Sequence, residues 1–189
     1  MTGLTTVRVL KLGCSLLMTL SALTLAAGEV VVTAGLECNA VTPLNAKRAE
    51  WRQYGTINKD DSKEIWVSCP LDRIDASAFS ERHFSAALSV FNIETDSDSL
   101  AEISCYLREI LGAKRISGTT LQASLAPGEQ NLVGACDIEP TDPASAFIFV
   151  CKLPPGTGIS SLMTETHLPD KRNSLLAQQL ENAGIACDT

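Results

Sequence analysis

The chain has 189 residues, of which 45% are hydrophobic and 20% charged, enough for one domain of ordinary size with its own core. Its 22 acidic and 15 basic side chains give a formal net charge of -7. Because an acidic chain without a basic run repels phosphate groups, this balance argues against nucleic-acid binding and against electrostatic docking on an anionic membrane.

Residues 1–34 are predicted to be a signal peptide. Arg8 and Lys11 precede an uncharged apolar stretch over residues 12–28, which ends in small residues. A basic region, an apolar region and small residues, in this order, are typical of an export signal. Cleavage is expected after Ala26, Gly28 or Ala34. A retained membrane helix, which would make the protein an envelope-anchored accessory protein, is the alternative, although Glu29 interrupts the apolar run.

Removal of the signal changes the cysteine count from seven to six, because Cys14 leaves with it. The remaining cysteines are Cys38, Cys69, Cys105, Cys136, Cys151 and Cys187. An even number in an exported chain is typical of a disulfide framework, and fifteen connectivities are open. We therefore expect a secreted or periplasmic protein.

Alternating apolar residues predict β-strands through most of a domain over residues 35–168. The runs lie at residues 64–71, 84–90, 101–107, 121–125, 132–138, 147–153 and 159–168. Turn residues separate several of them, including those at 126–129 and 154–156. The pattern predicts a mainly β protein, a disulfide-stapled antiparallel sandwich of jelly-roll type.

Four cysteines share the parity of the apolar residues in their own strands: Cys69, Cys105, Cys136 and Cys151. Side chains of this parity are expected to point into the core. Cysteines so placed could bridge strands that face each other across it.

The last segment, residues 169–189, is predicted to be a short helix and tail. Leu175, Leu176 and Leu180 follow helical spacing, Asp170 is a suitable N-cap, and Gly184 is a suitable C′ residue. A disulfide from the following Cys187 would attach the helix to the sandwich.

Three strings carry a family resemblance: residues 54–58 (YGTIN), 67–71 (VSCPL) and 149–155 (FVCKLPP). They resemble a group of uncharacterised secreted bacterial β-sandwich proteins with a V-x-C-P-L strand and a C-x-L-P-P strand. The resemblance implies an exported sandwich in which Cys38 pairs with Cys69 and Cys105 with Cys151. It implies no activity. Cys136 and Cys187 lie outside the shared pattern and are paired by elimination.

No metal or cofactor site is predicted. The chain has neither C-x-x-C nor H-x-x-x-H, and its two histidines, His83 and His167, are far apart in sequence. Two acidic segments contain oxygen ligands suitable for calcium, but neither has complete EF-hand spacing. These segments are Glu94, Asp96 and Asp98, and Asp137, Glu139 and Asp142.

Nucleophilic catalysis is not indicated. The chain has no G-x-S-x-G motif, and the turn around Gly156 and Gly158 lacks the remaining residues of a phosphate-binding loop. His83 has no identifiable acidic partner and is expected to be an exposed loop histidine.

Three aromatic residues are the candidate binding residues: Trp51, Tyr54 and Trp66. Trp66 has the opposite parity to Ile65 and Val67, so it is expected to face solvent or to be covered by a loop. Flat aromatic rings stack on sugars and on partner proteins. The sequence therefore favours an exported, cofactor-free and non-catalytic binding or structural module, with a glycan or an envelope protein as candidate partner. The alternative is a secreted hydrolase that acts on glycans through loop carboxylates.

Overall fold

Two antiparallel β-sheets make up most of the computed structural model, which describes residues 30–71, 83–94, 99–142, 144–169, 172 and 174–187. The strands are β1 (Val30–Ala34), β2 (Asn39–Ala40), β3 (Ala49–Arg52), β4 (Gly55–Asn58), β5 (Ile65–Pro70), β6 (His83–Asn92), β7 (Ala101–Leu111), β8 (Lys114–Leu125), β9 (Gln130–Ile138), β10 (Ala146–Leu153) and β11 (Thr157–His167). The helices are α1 (Pro43–Arg48) and α2 (Leu175–Asn182), and a 3-10 turn covers Gly35–Glu37.

The strand order is that of a jelly roll. The six-stranded sheet runs β3-β4-β11-β6-β9 with β1 also beside β11, and the five-stranded sheet runs β2-β5-β10-β7-β8. Successive strands from β4 to β11 thus divide into the quartets β4-β11-β6-β9 and β5-β10-β7-β8, the double Greek key of this fold. The predicted mainly β, antiparallel sandwich is confirmed.

The core lies between the two sheets. In β5, β7 and β10 buried and partly exposed residues alternate, which confirms the predicted parity of these strands. Phe84 and Phe147 meet edge to face, with ring centroids 4.4 Å apart. Each large apolar side chain removed from water in this layer contributes about 1.5–3 kcal/mol, before the entropy cost of ordering it.

A second apolar cluster lies outside the sandwich, where α2 covers the outer face of the six-stranded sheet. Leu176, Ala177 and Leu180 of α2 are buried there against Ala87 of β6. Strand β6 is therefore buried on both faces, and every residue from 84 to 90 is buried.

The ends of α2 follow from its capping residues. Ser174 is the N-cap, and its hydroxyl accepts a hydrogen bond from the Ala177 backbone N–H at 2.9 Å. The predicted N-cap, Asp170, lies outside the described residues. Gly184 adopts φ 80° just after the helix, as a C′ glycine does.

The disulfides join Cys38 to Cys69, Cys105 to Cys151 and Cys136 to Cys187. Cys105 and Cys151 are directly opposite each other in neighbouring strands β7 and β10 of the same sheet. Cys38 directly precedes β2, which pairs with the strand that carries Cys69. The expectation that these bridges cross the core is therefore wrong.

Cys136 is a second correction, because its side chain does not point into the core. It belongs to the cluster under α2, where it bonds to Cys187. Helix α2 packs on the outer face of β9, and that face carries apolar residues as well. The alternation of residue types alone could therefore not identify the inner face of this strand.

The predicted division of the chain at residue 35 remains a prediction. Residues 1–29, which include most of the predicted signal or its alternative, a membrane anchor, lie outside the described residues. Strand β1 pairs with β11 from Val30 opposite Glu165 to Ala34 opposite Ser161. No helix among the described residues is long and apolar enough to cross a bilayer.

Candidate functional site

The outer face of the five-stranded sheet is the candidate site, and we call it the platform. Strand register places its side chains in three rows. The rows are Trp66–Lys152–Ser104–Gln122, Ser68–Val150–Tyr106–Thr120 and Pro70–Ile148–Arg108–Gly118. All of these residues are partly or fully exposed, whereas α2 packs on the other sheet.

Two aromatic rings lie side by side on the platform. Trp66 and Tyr106 stack with ring centroids 6.0 Å apart and an interplanar angle of 22°. They come from β5 and β7, which lie on either side of β10, so only the folded sheet brings them together. Sequence reasoning missed Tyr106, although its parity, opposite to that of the inward Cys105, indicated the outer face.

Polar side chains surround the two rings. The side chains of Ser104, Thr120 and Gln122 make no hydrogen bond to any residue that the structure describes, so their hydroxyl and amide groups are available to a ligand. Lys152 lies between Trp66 and Ser104 and pairs with Glu64 at 2.7 Å. The platform therefore offers flat apolar surface together with donors and acceptors.

The other two predicted binding residues lie on the six-stranded sheet, in the β3–β4 hairpin. Trp51 is 44% exposed and Tyr54 is 49% exposed. The indole N–H of Trp51 donates to the Cys38 carbonyl at 3.1 Å, and the Tyr54 ring lies 6.1 Å from that of Phe91. The structure thus places Trp51 and Tyr54 on a different sheet from Trp66.

A cleft of about 590 Å³ opens between β8 and β9, the edge strands of the two sheets. Three carboxylates line it, Glu109, Asp137 and Glu139, together with His83 and the Cys136–Cys187 bridge. A concave site with carboxylates is the arrangement that a glycan hydrolase would need, so the partners of these groups decide its chemistry.

Glu109 has a structural role in this cleft. Its carboxylate accepts hydrogen bonds from the Thr141 and Asp142 backbone N–H groups and from the hydroxyls of Thr141, Ser117 and Ser145, at 2.6–3.2 Å. Burial raises the pKa of Glu109, but the bonds from Ser145, Thr141 and Ser117 outweigh it and hold that pKa below its ordinary value. A general acid needs the opposite shift.

His83 is not the unpaired loop histidine that the sequence predicted. It is the first residue of β6, its side chain is 20% exposed, and its Nδ1 lies 2.7 Å from Oδ1 of Asp137. The pairing register shifts between Phe84 and Ala86, and Asp137 adopts φ 52° at this irregularity. The acidic partner was invisible in the sequence because the β-bulge, a tertiary feature, places it there.

A serine–histidine pair is present, but it is sealed in the protein. The Ser85 hydroxyl lies 3.0 Å from His167 Nε2, and the Ser174 hydroxyl donates to the buried Glu165 carboxylate at 2.7 Å. Glu165 also accepts from the Leu175 and Leu176 backbone N–H groups at the start of α2. All four polar residues are at most 1% exposed, so the network fastens α2 to the sheet and is out of reach of a substrate.

No group of three or more ligating side chains forms a metal site within the described ranges. Of the calcium candidates, Asp96 and Asp98 lie outside those ranges and Glu94 is exposed. Asp137 is paired with His83, and Asp142 accepts from the Ala144 backbone N–H at 2.7 Å.

Neither a family model nor a curated protein matches the sequence. Several solved structures are similar in fold. The xylan-binding module CBM15 covers 76% of this chain and 99% of its own length, at 14% identity and a TM-score of 0.49. The mannan-recognising carbohydrate-binding module TmCBM27 covers 73% and 98%, at 10% identity and a TM-score of 0.40. The C-terminal CBM6 of LamC from Zobellia galactanivorans covers 72% and 99%, at 10% identity and a TM-score of 0.35. These likenesses concern β-sandwich architecture, and the site described above rests on its own geometry.

Proposed function

We propose that the protein is an exported, non-catalytic module that binds glycan chains on the platform. The observation that carries the proposal is the stacked pair Trp66–Tyr106 on the outer face of the five-stranded sheet, beside hydroxyl and amide groups that have no side-chain partner among the described residues. Sugar rings present apolar C–H surfaces rimmed by hydroxyl groups, so aromatic rings flanked by donors and acceptors complement them.

The partners of the polar groups support binding without catalysis. Glu109 is engaged by five donors, Asp137 is paired with His83, and the Ser85–His167 pair is buried. Glu109 thus holds the β9–β10 loop, and the Ser85–His167 pair is out of reach of a substrate.

Export is supported by the pattern of the first 34 residues and by the three disulfides. Bridges of this kind persist in oxidising compartments, outside the cytosol or in the periplasm. No cofactor enters the proposal.

The test is affinity electrophoresis of the folded protein in gels that contain neutral or charged polysaccharides. Trp66→Ala and Tyr106→Ala should each raise the dissociation constant obtained from the retardation by at least about 10-fold. Truncation of an aromatic residue at the centre of a binding site costs about 2 kcal/mol, which is more than a factor of 10 in affinity. Trp51→Ala is the matched control, an equally large truncation on the other sheet, and should leave binding unchanged.

Two results would contradict the proposal. One is the absence of retardation by any polysaccharide, particularly if an envelope-protein extract binds instead. The other is a loss of binding in Trp51→Ala with none in Trp66→Ala, which would move the site to the β3–β4 hairpin. Thermal melts of each variant separate loss of binding from loss of fold.

A further inference from the structure

Two arginines, Arg108 and Arg115, lie on the platform near the β7–β8 hairpin. Gly118 lies directly opposite Arg108. A Cβ atom built on Gly118 would be 3.3 Å from Nη2 of Arg115 and 3.4 Å from Cα of Arg108. One guanidinium nitrogen of Arg115 thus lies beside Gly118, on the face that carries Arg108.

Neither arginine has a carboxylate partner among the described residues, whereas Arg48 pairs with Asp60 and Arg52 with Glu50. Nε of Arg108 is buried and has no hydrogen-bond acceptor in the part of the chain that the structure describes. Nε of Arg115 reaches only the Ser117 carbonyl, at 3.4 Å. In a chain with 22 acidic side chains, two neighbouring arginines without an acidic partner among the described residues indicate that the anion comes from outside the protein.

The cationic pair continues the aromatic pair. The guanidinium carbon of Arg108 lies 5.6 Å from the centre of the Tyr106 ring, which itself stacks with Trp66. A polymer that lies over Trp66 and Tyr106 therefore comes within reach of Arg108 and then of Arg115.

We infer that the glycan is acidic, and that Arg108 and Arg115 bind its anionic groups while Trp66 and Tyr106 contact its sugar rings. This inference rests on the proposed function. The anionic group is a carboxylate of a uronic acid or a sulfate ester, because the planar guanidinium fork binds either with two parallel hydrogen bonds. The net charge of -7 opposes non-specific attraction of a polyanion, so binding depends on the local arginines.

The experiment compares polygalacturonate with its fully methyl-esterified form, which keeps the sugar chain and removes the charge. Isothermal titration should give at least about 10-fold tighter binding to the charged polymer, and added salt should weaken that binding only. Arg108→Gln and Arg115→Gln should each remove most of this preference. Arg108→Gln is expected to fold normally, because it deletes a donor that has no protein acceptor.

Arg52→Gln is the matched control, since it removes the same charge from the other sheet and should leave the preference unchanged. Binding of dextran sulfate is measured in the same way. If the protein binds dextran sulfate more tightly than polygalacturonate, and Arg108→Gln abolishes that difference, the inference is supported and the anion is a sulfate. Trp66-dependent binding of neutral polysaccharides with no preference for charged ones overturns the inference and leaves the proposed function intact. Equal weakening by Arg52→Gln also overturns it, and binding of no polysaccharide contradicts both.

Discussion

Thr141 donates two hydrogen bonds to the carboxylate of Glu109, one from its backbone N–H at 2.7 Å and one from its hydroxyl at 2.6 Å. Glu109 sits at the end of the inward face of β7 and is 1% exposed. A charged group this deep is tolerated because donors from the β9–β10 loop surround it. Hydrogen bonds to this carboxylate therefore hold the β9–β10 loop against the sandwich.

We expect Glu109→Gln to lower the free energy of unfolding by about 1–3 kcal/mol at neutral pH, because the neutral amide has one acceptor oxygen where the carboxylate has two, so that several charge-assisted hydrogen bonds are weakened or lost. The pKa of Glu109 in the folded protein lies below its ordinary value of 4.5. The stabilisation is therefore complete above that value and is lost as the pH falls through the lowered pKa. Urea unfolding at several pH values should show the difference between wild type and variant shrinking in acid.

Glu102→Gln is the control for this change. Glu102 is on the same strand but exposed, with a single hydroxyl donor, Ser124, at 2.6 Å. Its replacement should change the free energy of unfolding by less than about 0.5 kcal/mol. A difference for Glu109→Gln that stays constant down to low pH would contradict the role given to its carboxylate.

The Cys136–Cys187 bridge should be the first disulfide to open in the native protein. Cys136 is 8% exposed and Cys187 is 5% exposed, whereas the four cysteines of the other bridges are fully buried. A thiolate must reach a sulfur atom to exchange with it, so accessibility governs the order. Mild reduction followed by alkylation and peptide mass mapping should label Cys136 and Cys187 before Cys105 and Cys151, and the reverse order would contradict this.

The sequence identified the inner face correctly in those strands that are covered on one face only. In β5, β7 and β10 one side meets the core and the other stays partly exposed, so the alternation of residue types reports the geometry directly. In β6 and β9 the outer face is covered by helix α2 and is apolar too. The alternation therefore does not distinguish the two faces, as the position of Cys136 shows.

The candidate site was only partly predictable for a related reason. The parity of Trp66 indicated the outer face, but its contact with Tyr106 depends on β10 lying between β5 and β7. That order is a property of the jelly-roll topology, which no local pattern encodes. The same applies to His83 and Asp137, which are 54 residues apart and are joined by a bulge.

Signal cleavage should occur after Ala26 or Gly28 and leave β1 in the mature protein. Cleavage after Ala34 would remove a strand that pairs with β11 over five successive residues, and with it those ladder hydrogen bonds. N-terminal sequencing of the exported protein should therefore start at residue 27 or 29. A start at Gly35 would contradict this prediction, and a retained N-terminus would support the anchored alternative.

The docking of α2 should depend on the residues that face β9. Leu180 is fully buried, and its Cδ2 lies 2.9 Å from where a Cβ on Gly134 would be, so the helix rests directly on the glycine backbone. Leu180→Ala should lower the free energy of unfolding by about 2–5 kcal/mol through lost burial and the cavity it leaves. Leu175→Ala, in the same helix but at a position 51% exposed, should cost far less, which makes it the matched control. Urea titrations of the two variants measure the difference, and similar losses in both would mean that α2 is not held by its contact with Gly134.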